Sequence, residues 1–331
     1  MQPTLERVIK NLFAVGVLLG GLTLGLPAKA ASSAAAPSQD FQFSVDDAHG
    51  LLDLSYHSGR VLRYAYATNQ YKPYVRELYS LKGDNVLLDA PPDHLHHHGL
   101  MYAIRVNGIN FWEERDDPGY EKPVRLLERR TGHSGSGAAQ AMFSQVIHWV
   151  SRTNGLLADT APVALLVEKR VITVTIDESQ QELALTWHSA FEVGEGARKV
   201  TLTGSSYHGL GLRLPAAFNR VARHRNSEGL PYPTNGKGDV TVARWSVVSN
   251  GEGANALTIA MFGRPAPDRG LPAFFTMVEP FTYLSVTQGL DKSPSEHVAG
   301  DRFELDYLLL VYADQRTPEF LEGRYQRWSR Q

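Results

Sequence analysis

The sequence predicts an all-β protein, a large antiparallel β-sandwich with a short C-terminal helix. Segments rich in Val, Ile, Thr, Tyr and Phe alternate with polar residues at a period of two, which is typical of half-buried strands. Helical periodicity is scarce, and no internal repeat indicates a propeller or a solenoid. Long strands without intervening helices favour two large packed sheets, and we expect residues 41–331 to form them as a single domain.

Residues 1–30 have the three parts of a cleavable export signal. A basic start at Arg7 and Lys10 precedes an apolar run from Leu12 to Leu26, and small residues follow up to Ala30. The run is too short and too rich in glycine to span a bilayer, and a proline stops it. We therefore expect Sec-type export, cleavage near Ala30, no membrane span in the mature chain, and a periplasmic or secreted location.

The strand pattern begins at Phe41, after a small and polar segment, residues 31–40, that is expected to be a disordered lead-in. Longer surface loops are predicted at 132–137 and 226–238, where glycine and polar residues accumulate. The clearest strand segments are Val61 to Ala67, Val163 to Ile176, Glu182 to Val193, Lys199 to Thr203, Val240 to Val248, Ala256 to Phe262 and Arg302 to Tyr312.

A hairpin is predicted from its turn residues, and a C-terminal helix from its capping residues and its apolar face. Asn107-Gly108 lies between two apolar segments, and Asn-Gly readily adopts positive φ at both positions of a two-residue turn. At the C-terminus Thr317 can cap a helix, Pro318 suits its first position, and Leu321, Tyr325 and Trp328 fall on one face. This helix is expected to cover an edge or an end of a sheet.

Charge and composition narrow the choice of ligand. The formal net charge is −2, and the sequence contains no cysteine. Such a chain lacks the basic footprint of a nucleic-acid-binding protein and the polybasic patch that holds proteins on anionic membranes. It can form neither a disulfide nor a lipoprotein anchor. A carbohydrate or another small molecule remains as the expected ligand.

Histidine is concentrated in one short segment. Four of the twelve histidines occur within Pro-Pro-Asp-His-Leu-His-His-His-Gly at 91–99. Imidazole transfers protons near neutral pH and ligates transition metals, so this density suits a proton-transfer site or a metal site, the alternative being a solvated loop without chemistry. The double proline and Gly99 predict an irregular loop that enters a strand at Leu100.

Proton transfer without a metal is the preferred interpretation. A cupin-like site would need a carboxylate shortly after the His-x-His pair, where the chain has apolar and aromatic residues, and no His-Glu-x-x-His sequence occurs. No cofactor is therefore predicted. The alternative is a divalent transition metal that His94, His96 and His98 would ligate.

Two other segments supply partners for the histidines. Antiparallel pairing about the Asn107-Gly108 turn would return Glu113 or Glu114 to the histidine loop, where a carboxylate can orient an imidazole or act as a second acid or base. In Tyr-His-Gly-Leu-Gly-Leu-Arg at 207–213, the glycines favour close approach by another backbone or a ligand. His208 and Arg213 could then hold a substrate, although a buried Arg213 paired with an acid is equally open.

These motifs resemble a bacterial family of unknown function that is labelled methane oxygenase PmoA-like. The similar segments are 91–100, Val-Asn-Gly-Ile-Asn-Phe-Trp-Glu-Glu at 106–114 and 207–213, and the resemblance extends from about Tyr64 to Tyr312. Leu95 replaces the proline that is usual in the histidine motif, and Glu113 stands where glycine is commoner. The resemblance implies a galactose mutarotase-like β-supersandwich and a role in bacterial carbohydrate breakdown.

Taken together, the residues and the resemblance predict an exported carbohydrate-active enzyme. His94 or His97 is expected to transfer a proton on a sugar, as in epimerisation, β-elimination or glycoside cleavage, with Glu114 as its partner. The alternatives are a non-catalytic sugar-binding protein and a His-ligated metal enzyme. The residues expected to hold the substrate are Asp93, His96, Trp112, His208 and Arg213.

Overall fold

The computed structural model describes residues 40–151, 163–229 and 238–331. The predicted export signal, residues 31–39 of the predicted lead-in and residues 230–237 of the predicted loop lie outside the described residues. Among the described residues, no helix is long and apolar enough to cross a bilayer.

The described residues form twenty-one strands and one α-helix, α1, at Pro318–Ser329. The strands are β1 Phe41–Asp46, β2 Leu51–Tyr56, β3 Gly59–Ala65, β4 Tyr74–Leu78, β5 Leu100–Ala103, β6 Arg105–Val106, β7 Ile109–Asn110, β8 Tyr120–His133, β9 Ala139–Val150, β10 Leu166–Asp177, β11 Glu182–Val193, β12 Lys199–Thr203, β13 Gly209–Arg213, β14 Arg223–Asn226, β15 Asp239–Val242, β16 Trp245–Asn250, β17 Leu257–Gly263, β18 Ala273–Met277, β19 Tyr283–Thr287, β20 Ser295–Val298 and β21 Arg302–Tyr312.

These strands make three antiparallel sheets. A nine-stranded sheet has the order β1-β2-β3-β4-β5-β13-β19-β18-β15, and an eight-stranded sheet has the order β14-β16-β17-β21-β11-β10-β9-β8. A small third sheet has the order β20-β12-β6-β7. The predicted fold class, a large antiparallel β-sandwich with a short C-terminal helix, is confirmed.

The two larger sheets share one hydrophobic core. Tyr64 of β3 packs against Phe143 of β9 with ring centroids 5.0 Å apart, and Tyr102 of β5 packs against Trp149 of β9 at 5.9 Å. All four rings are buried. Period-two alternation produces this arrangement, because every second side chain of a strand points to the same face.

Helix α1 covers the outer face of the eight-stranded sheet, which corrects the expectation that it covers an edge or an end. The Thr317 side chain accepts a hydrogen bond from the backbone N–H of Phe320 and so caps the helix. Tyr325 and Trp328 pack their rings against Phe262 of β17, at centroid distances of 5.6 Å and 6.1 Å. The predicted helix and its buried face are confirmed.

The predicted turn at Asn107-Gly108 is also confirmed, with φ values of 52° and 80°. The strand before it is not continuous, however, because β5 and β6 belong to different sheets. The segment predicted as one strand, Val240 to Val248, is likewise divided between β15 and β16 in different sheets. Strands β8 and β9 have no counterpart among the clearest predicted segments.

A buried ionic cluster ties β10 to its neighbours. The Arg170 guanidinium donates to Glu168 at 2.7 and 2.9 Å, to Glu121 at 3.1 Å and to the backbone carbonyl of Pro73 at 2.7 Å. It also lies 4.4 Å from the ring centroid of Trp187. The exposed fraction is 1% for Arg170 and 0% for both glutamates.

Candidate functional site

The histidine loop, residues 91–99, is fixed at both ends. It is irregular and leads into β5 at Leu100, as predicted. At its start the backbone N–H of Ala90 donates to the carbonyl of His97 at 2.9 Å. At its end Gly99 has a φ of 29°, and a Cβ at this position would overlap the carbonyl oxygen of Val75, so only glycine fits.

The loop forms one wall of a cleft of about 830 Å³. Aromatic side chains, among them Tyr207 and Phe281, form much of the remaining wall. Six of the eight residues in the predicted catalytic and substrate-binding set line this cleft: Asp93, His94, His96, His97, Trp112 and Glu114.

A chain of hydrogen bonds joins Arg213, Asp93 and His94. Asp93 Oδ2 lies 3.0 Å from Nδ1 of His94 and accepts a hydrogen bond of 2.8 Å from Nη2 of Arg213. Burial acts to raise the pKa of Asp93, but the bond to His94 and the charge of Arg213 outweigh it and lower this pKa. The ionised carboxylate therefore holds His94 by Nδ1 and leaves Nε2 for a ligand.

His97 stacks on His94 with ring centroids 4.6 Å apart, and it contacts His96 edge-on at 4.6 Å. Burial, reinforced by the imidazoles of His96 and His94, lowers the pKa of His97 to about 2. The His97 ring is thus neutral at neutral pH. A pKa this low makes His97 a weak proton acceptor as well as an unsuitable donor, which leaves His94 as the better candidate for proton transfer.

Glu114 holds His98 rather than His94 or His97. Both ring nitrogens of His98 face carboxylates, Nδ1 at 2.9 Å from Asp89 and Nε2 at 3.0 Å from Glu114. Buried Lys72 donates to Glu114 at 2.5 Å. Burial acts to raise the pKa of Glu114, but the bond to His98 and the charge of Lys72 lower it to about 2.

His208 and Arg213 lie behind the cleft wall, and neither of them lines the cleft. The expectation that they hold the substrate stays a prediction, and the alternative left open for Arg213, a buried arginine paired with an acid, matches its hydrogen bond to Asp93. His208 stacks on Trp112 with ring centroids 5.0 Å apart, and Arg213 lies 3.5 Å from the ring centroid of Phe281. Both side chains are 3% exposed, so they support the residues that face the ligand space.

A third carboxylate, Glu113, lines the cleft beside Tyr207. The Tyr207 hydroxyl donates to Glu113 at 3.0 Å, and the side-chain amide of Asn110 donates to the same carboxylate. Burial acts to raise the pKa of Glu113, but the bond from Asn110, the neighbouring His208 and the bond from Tyr207 together outweigh it and lower this pKa. Sequence reasoning did not identify Tyr207, although it adjoins His208 within a segment that had been singled out.

The alternative metal set of His94, His96 and His98 is not assembled in this arrangement. Both ring nitrogens of His98 are committed to carboxylates, which leaves neither nitrogen for a metal ion. Across the residues that the structure describes, no group of three or more His, Asp or Glu side chains is placed to hold a metal ion.

Comparison with solved structures finds similarity to much larger enzymes. One is the GH36 α-galactosidase AgaB from Geobacillus stearothermophilus, with 10% identity, a TM-score of 0.49, and 83% of this chain and 41% of that chain covered. An α-galactosidase from Lactobacillus brevis matches with 8% identity, a TM-score of 0.43, and 82% and 39% covered. This chain thus spans less than half the length of either enzyme.

A galactose mutarotase related enzyme from Lactobacillus acidophilus matches with 8% identity, a TM-score of 0.37, and 82% of this chain and 97% of that chain covered. Because these TM-scores lie below 0.5, no activity is transferred from these proteins. Comparison with curated proteins gave no match.

A family model described as a family of unknown function, DUF6807, matches residues 52–326. The match includes the histidine loop, the segment 106–114 and the segment 207–213. It carries this description rather than the PmoA-like label that the motifs had suggested. The chain belongs to the family of unknown function DUF6807.

Proposed function

We propose that the chain is an exported carbohydrate-active enzyme in which His94 moves a proton on a sugar ring. The observation that carries this proposal is the Arg213–Asp93–His94 chain at the wall of an 830 Å³ cleft. A carboxylate on Nδ1 sets the tautomer of an imidazole and stabilises the imidazolium that forms when Nε2 takes a proton. His94 then acts as general base, and Asp93 orients it.

The carboxylates of the cleft favour epimerisation or β-elimination over glycoside cleavage. Glycosidases that use two carboxyl groups need one of them protonated, with a raised pKa, to protonate the leaving group. The pKa values of Asp93, Glu113 and Glu114 are all lowered, so all three carboxyl groups are ionised near neutral pH. Removal of a proton from a sugar carbon by a histidine does not require such a group.

The shape and composition of the cleft suit a sugar. Its volume lies within the range of small-molecule sites, which combine apolar walls with a few polar groups. Aromatic rings present flat apolar faces to ligands, and Tyr207 adds a hydroxyl group. The charged groups in the wall are already paired, for example Glu114 with Lys72 and His98, so they can orient hydroxyl groups without a large net charge.

The test is to follow reactions of the purified protein with a panel of neutral and acidic sugars in D2O by proton NMR. Epimerisation exchanges a carbon-bound proton for deuterium, β-elimination produces an alkene proton, and glycoside cleavage produces new reducing ends. His94→Gln should lower turnover by about 100-fold or more. His49→Gln is a matched control, because His49 Nδ1 lies 2.7 Å from Asp46 in an exposed pair outside the cleft.

Full turnover in His94→Gln would refute the assignment of the base. Binding of a sugar by the wild-type protein without any product would favour a non-catalytic sugar-binding protein instead. Stoichiometric metal in untagged protein, measured by elemental analysis, would favour the metal-dependent alternative. The proposed export is tested separately, because the secreted or periplasmic form should begin near Ala31.

A further inference from the structure

A second cleft, of about 610 Å³, lies between β14, β16 and the beginning of α1. Its floor is apolar and includes Ala222, Val247, Val278 and Leu321, which are all buried. Four arginines line it: Arg220, Arg223, Arg225 and Arg316. The function proposed above makes no use of this cleft.

Two of the four arginines already have partners. Arg316 donates to the backbone carbonyl of Gln180 at 2.5 Å and pairs with Asp314 at 2.8 Å. The guanidinium of Arg220 lies 3.5 Å from the carboxylate of Glu279, which is the one acidic residue among the described residues of the lining. These contacts hold the two guanidinium groups in place and leave the cleft with an excess of positive charge.

The guanidinium groups of the other two arginines, Arg223 and Arg225, are exposed on β14 and make no hydrogen bond or ion pair with any residue that the structure describes. Residues two apart in a strand point to the same face, at a separation of about 7 Å. Two guanidinium groups at this distance can each bind one carboxylate or sulfate group through two parallel N–H donors. Helix α1 begins beside them at Pro318, where Glu319 of its first turn already places a carboxylate at the positive end of the helix and within the influence of Arg225, so the arginines rather than the helix supply the attraction for an anion.

We propose that this cleft binds a small organic anion with two carboxylate or sulfate groups, of the type of an acidic oligosaccharide. The volume of the cleft falls within the range of small-molecule sites, and its apolar floor can accept the C–H face of a sugar ring. Arg223 and Arg225 bind the two anionic groups.

Charge on an edge strand has another general role, which is to prevent pairing with a second chain. Strand β14 is an edge strand of the eight-stranded sheet. Protection of an edge requires neither a cleft nor additional arginines from other segments. Here Arg220 and Arg316 come from outside β14 and line the same cleft, which favours a binding role.

The proposal is tested by calorimetric titration of the full chain with trigalacturonate and with its neutral methyl ester. We expect trigalacturonate to bind more tightly than the ester, and the Arg223→Gln/Arg225→Gln double variant to lose affinity by about tenfold. Lys122→Gln/Arg125→Gln is the matched control, because it removes the same charge from exposed positions on β8 at the opposite edge of the same sheet. It should retain wild-type affinity.

Three results would overturn the proposal: unchanged affinity in the Arg223/Arg225 variant, an equal loss in the control variant, or equal binding of the methyl ester. Tighter binding of a hexaglutamate peptide than of trigalacturonate would also overturn it, in favour of a protein partner. His94→Gln should retain trigalacturonate affinity, because His94 lines the first cleft and not the second. Loss of affinity in His94→Gln would assign the bound anion to the first cleft and refute a second site.

Discussion

Replacement of Arg170 by methionine tests the buried ionic cluster in the core. Arg170→Met removes four hydrogen bonds to Glu168, Glu121 and the Pro73 carbonyl, together with the contact to Trp187. Methionine is apolar and flexible, so it can occupy part of the vacated volume. The main effect is therefore electrostatic, since two carboxyl groups with 0% exposure lose their shared cation.

The expected cost in the free energy of unfolding is about 3–5 kcal/mol at neutral pH, the range for breaking a buried ion pair by removing one partner. Glu121 limits this cost, because burial raises its pKa to about 8 and it carries a proton over much of the neutral range. Glu168 then accounts for most of the loss. The charge of Arg170 acts to lower the pKa of Glu121, so without Arg170 this group keeps its proton to higher pH, and the difference between variant and wild type should shrink as the pH falls below about 8.

The assay is urea unfolding followed by tryptophan fluorescence at neutral pH and in mild acid. Arg302→Met is the matched control, because Arg302 pairs with Glu192 at 3.3 Å on the surface, and loss of such a pair costs at most about 1 kcal/mol. If Arg170→Met costs no more than Arg302→Met, or if its cost grows in acid, the assignment of buried charge in this cluster is wrong.

Two further variants probe the surroundings of the first cleft. In Gly211→Ala the added Cβ would overlap the Tyr283 hydroxyl oxygen, so we expect the free energy of unfolding, measured by thermal unfolding, to fall by about 1–3 kcal/mol and to recover partly when Tyr283→Phe is added. Gly135→Ala is the control and should be neutral, because a Cβ at this position meets open space. A neutral Gly211→Ala would contradict the packing described. The pKa of Glu114 is about 2 in the folded chain, whereas its ordinary value, which applies to the unfolded chain, is 4.5. The contribution of Glu114 to stability is therefore present above about pH 4.5 and is lost as the pH falls toward 2. Glu114→Gln should remove a decline of about 3 kcal/mol across this window in urea unfolding, and an unchanged decline would refute this linkage.

Much of the fold could be predicted because strand alternation and turn chemistry are local signals. The bounds of β11, β12 and β21 match the predicted segments, as does the cap of α1. Strand β8 lacked a clear signal because its register shifts at two places and Pro123 lies within it, which disrupts the period of two. The third sheet could not be predicted, since β6 and β7 contain two residues each.

The buried position of Arg170 could have been predicted. It shares its face of β10 with Ile172 and Val174, which are both buried. Alternation alone therefore places this cation in the core. The apolar residues on this face of β10 were the sequence signal that indicated burial of Arg170.

Within the candidate site, sequence density indicated the histidine loop but not the partners of its side chains. Arg213 reaches Asp93 across 120 residues, and Lys72 reaches Glu114 across 42 residues. Such contacts depend on how β13 and the segment before β4 are placed in the nine-stranded sheet. Local patterns carry no information about these distances, so the pairing of Arg213 with Asp93 and of Lys72 with Glu114 emerged only from the structure.

The histidine loop carries its reactive groups and its exposed contact surface at different residues. Its two ends are held together by the bonds of His97 to Ala90 and of His98 to Asp89, whereas Leu95 at its centre is 66% exposed and lines the cleft. A substitution at Leu95 changes the surface offered to an incoming molecule without moving the Asp93–His94 pair. The ligand preference of the cleft can therefore be changed at one position while the same reactive groups are retained.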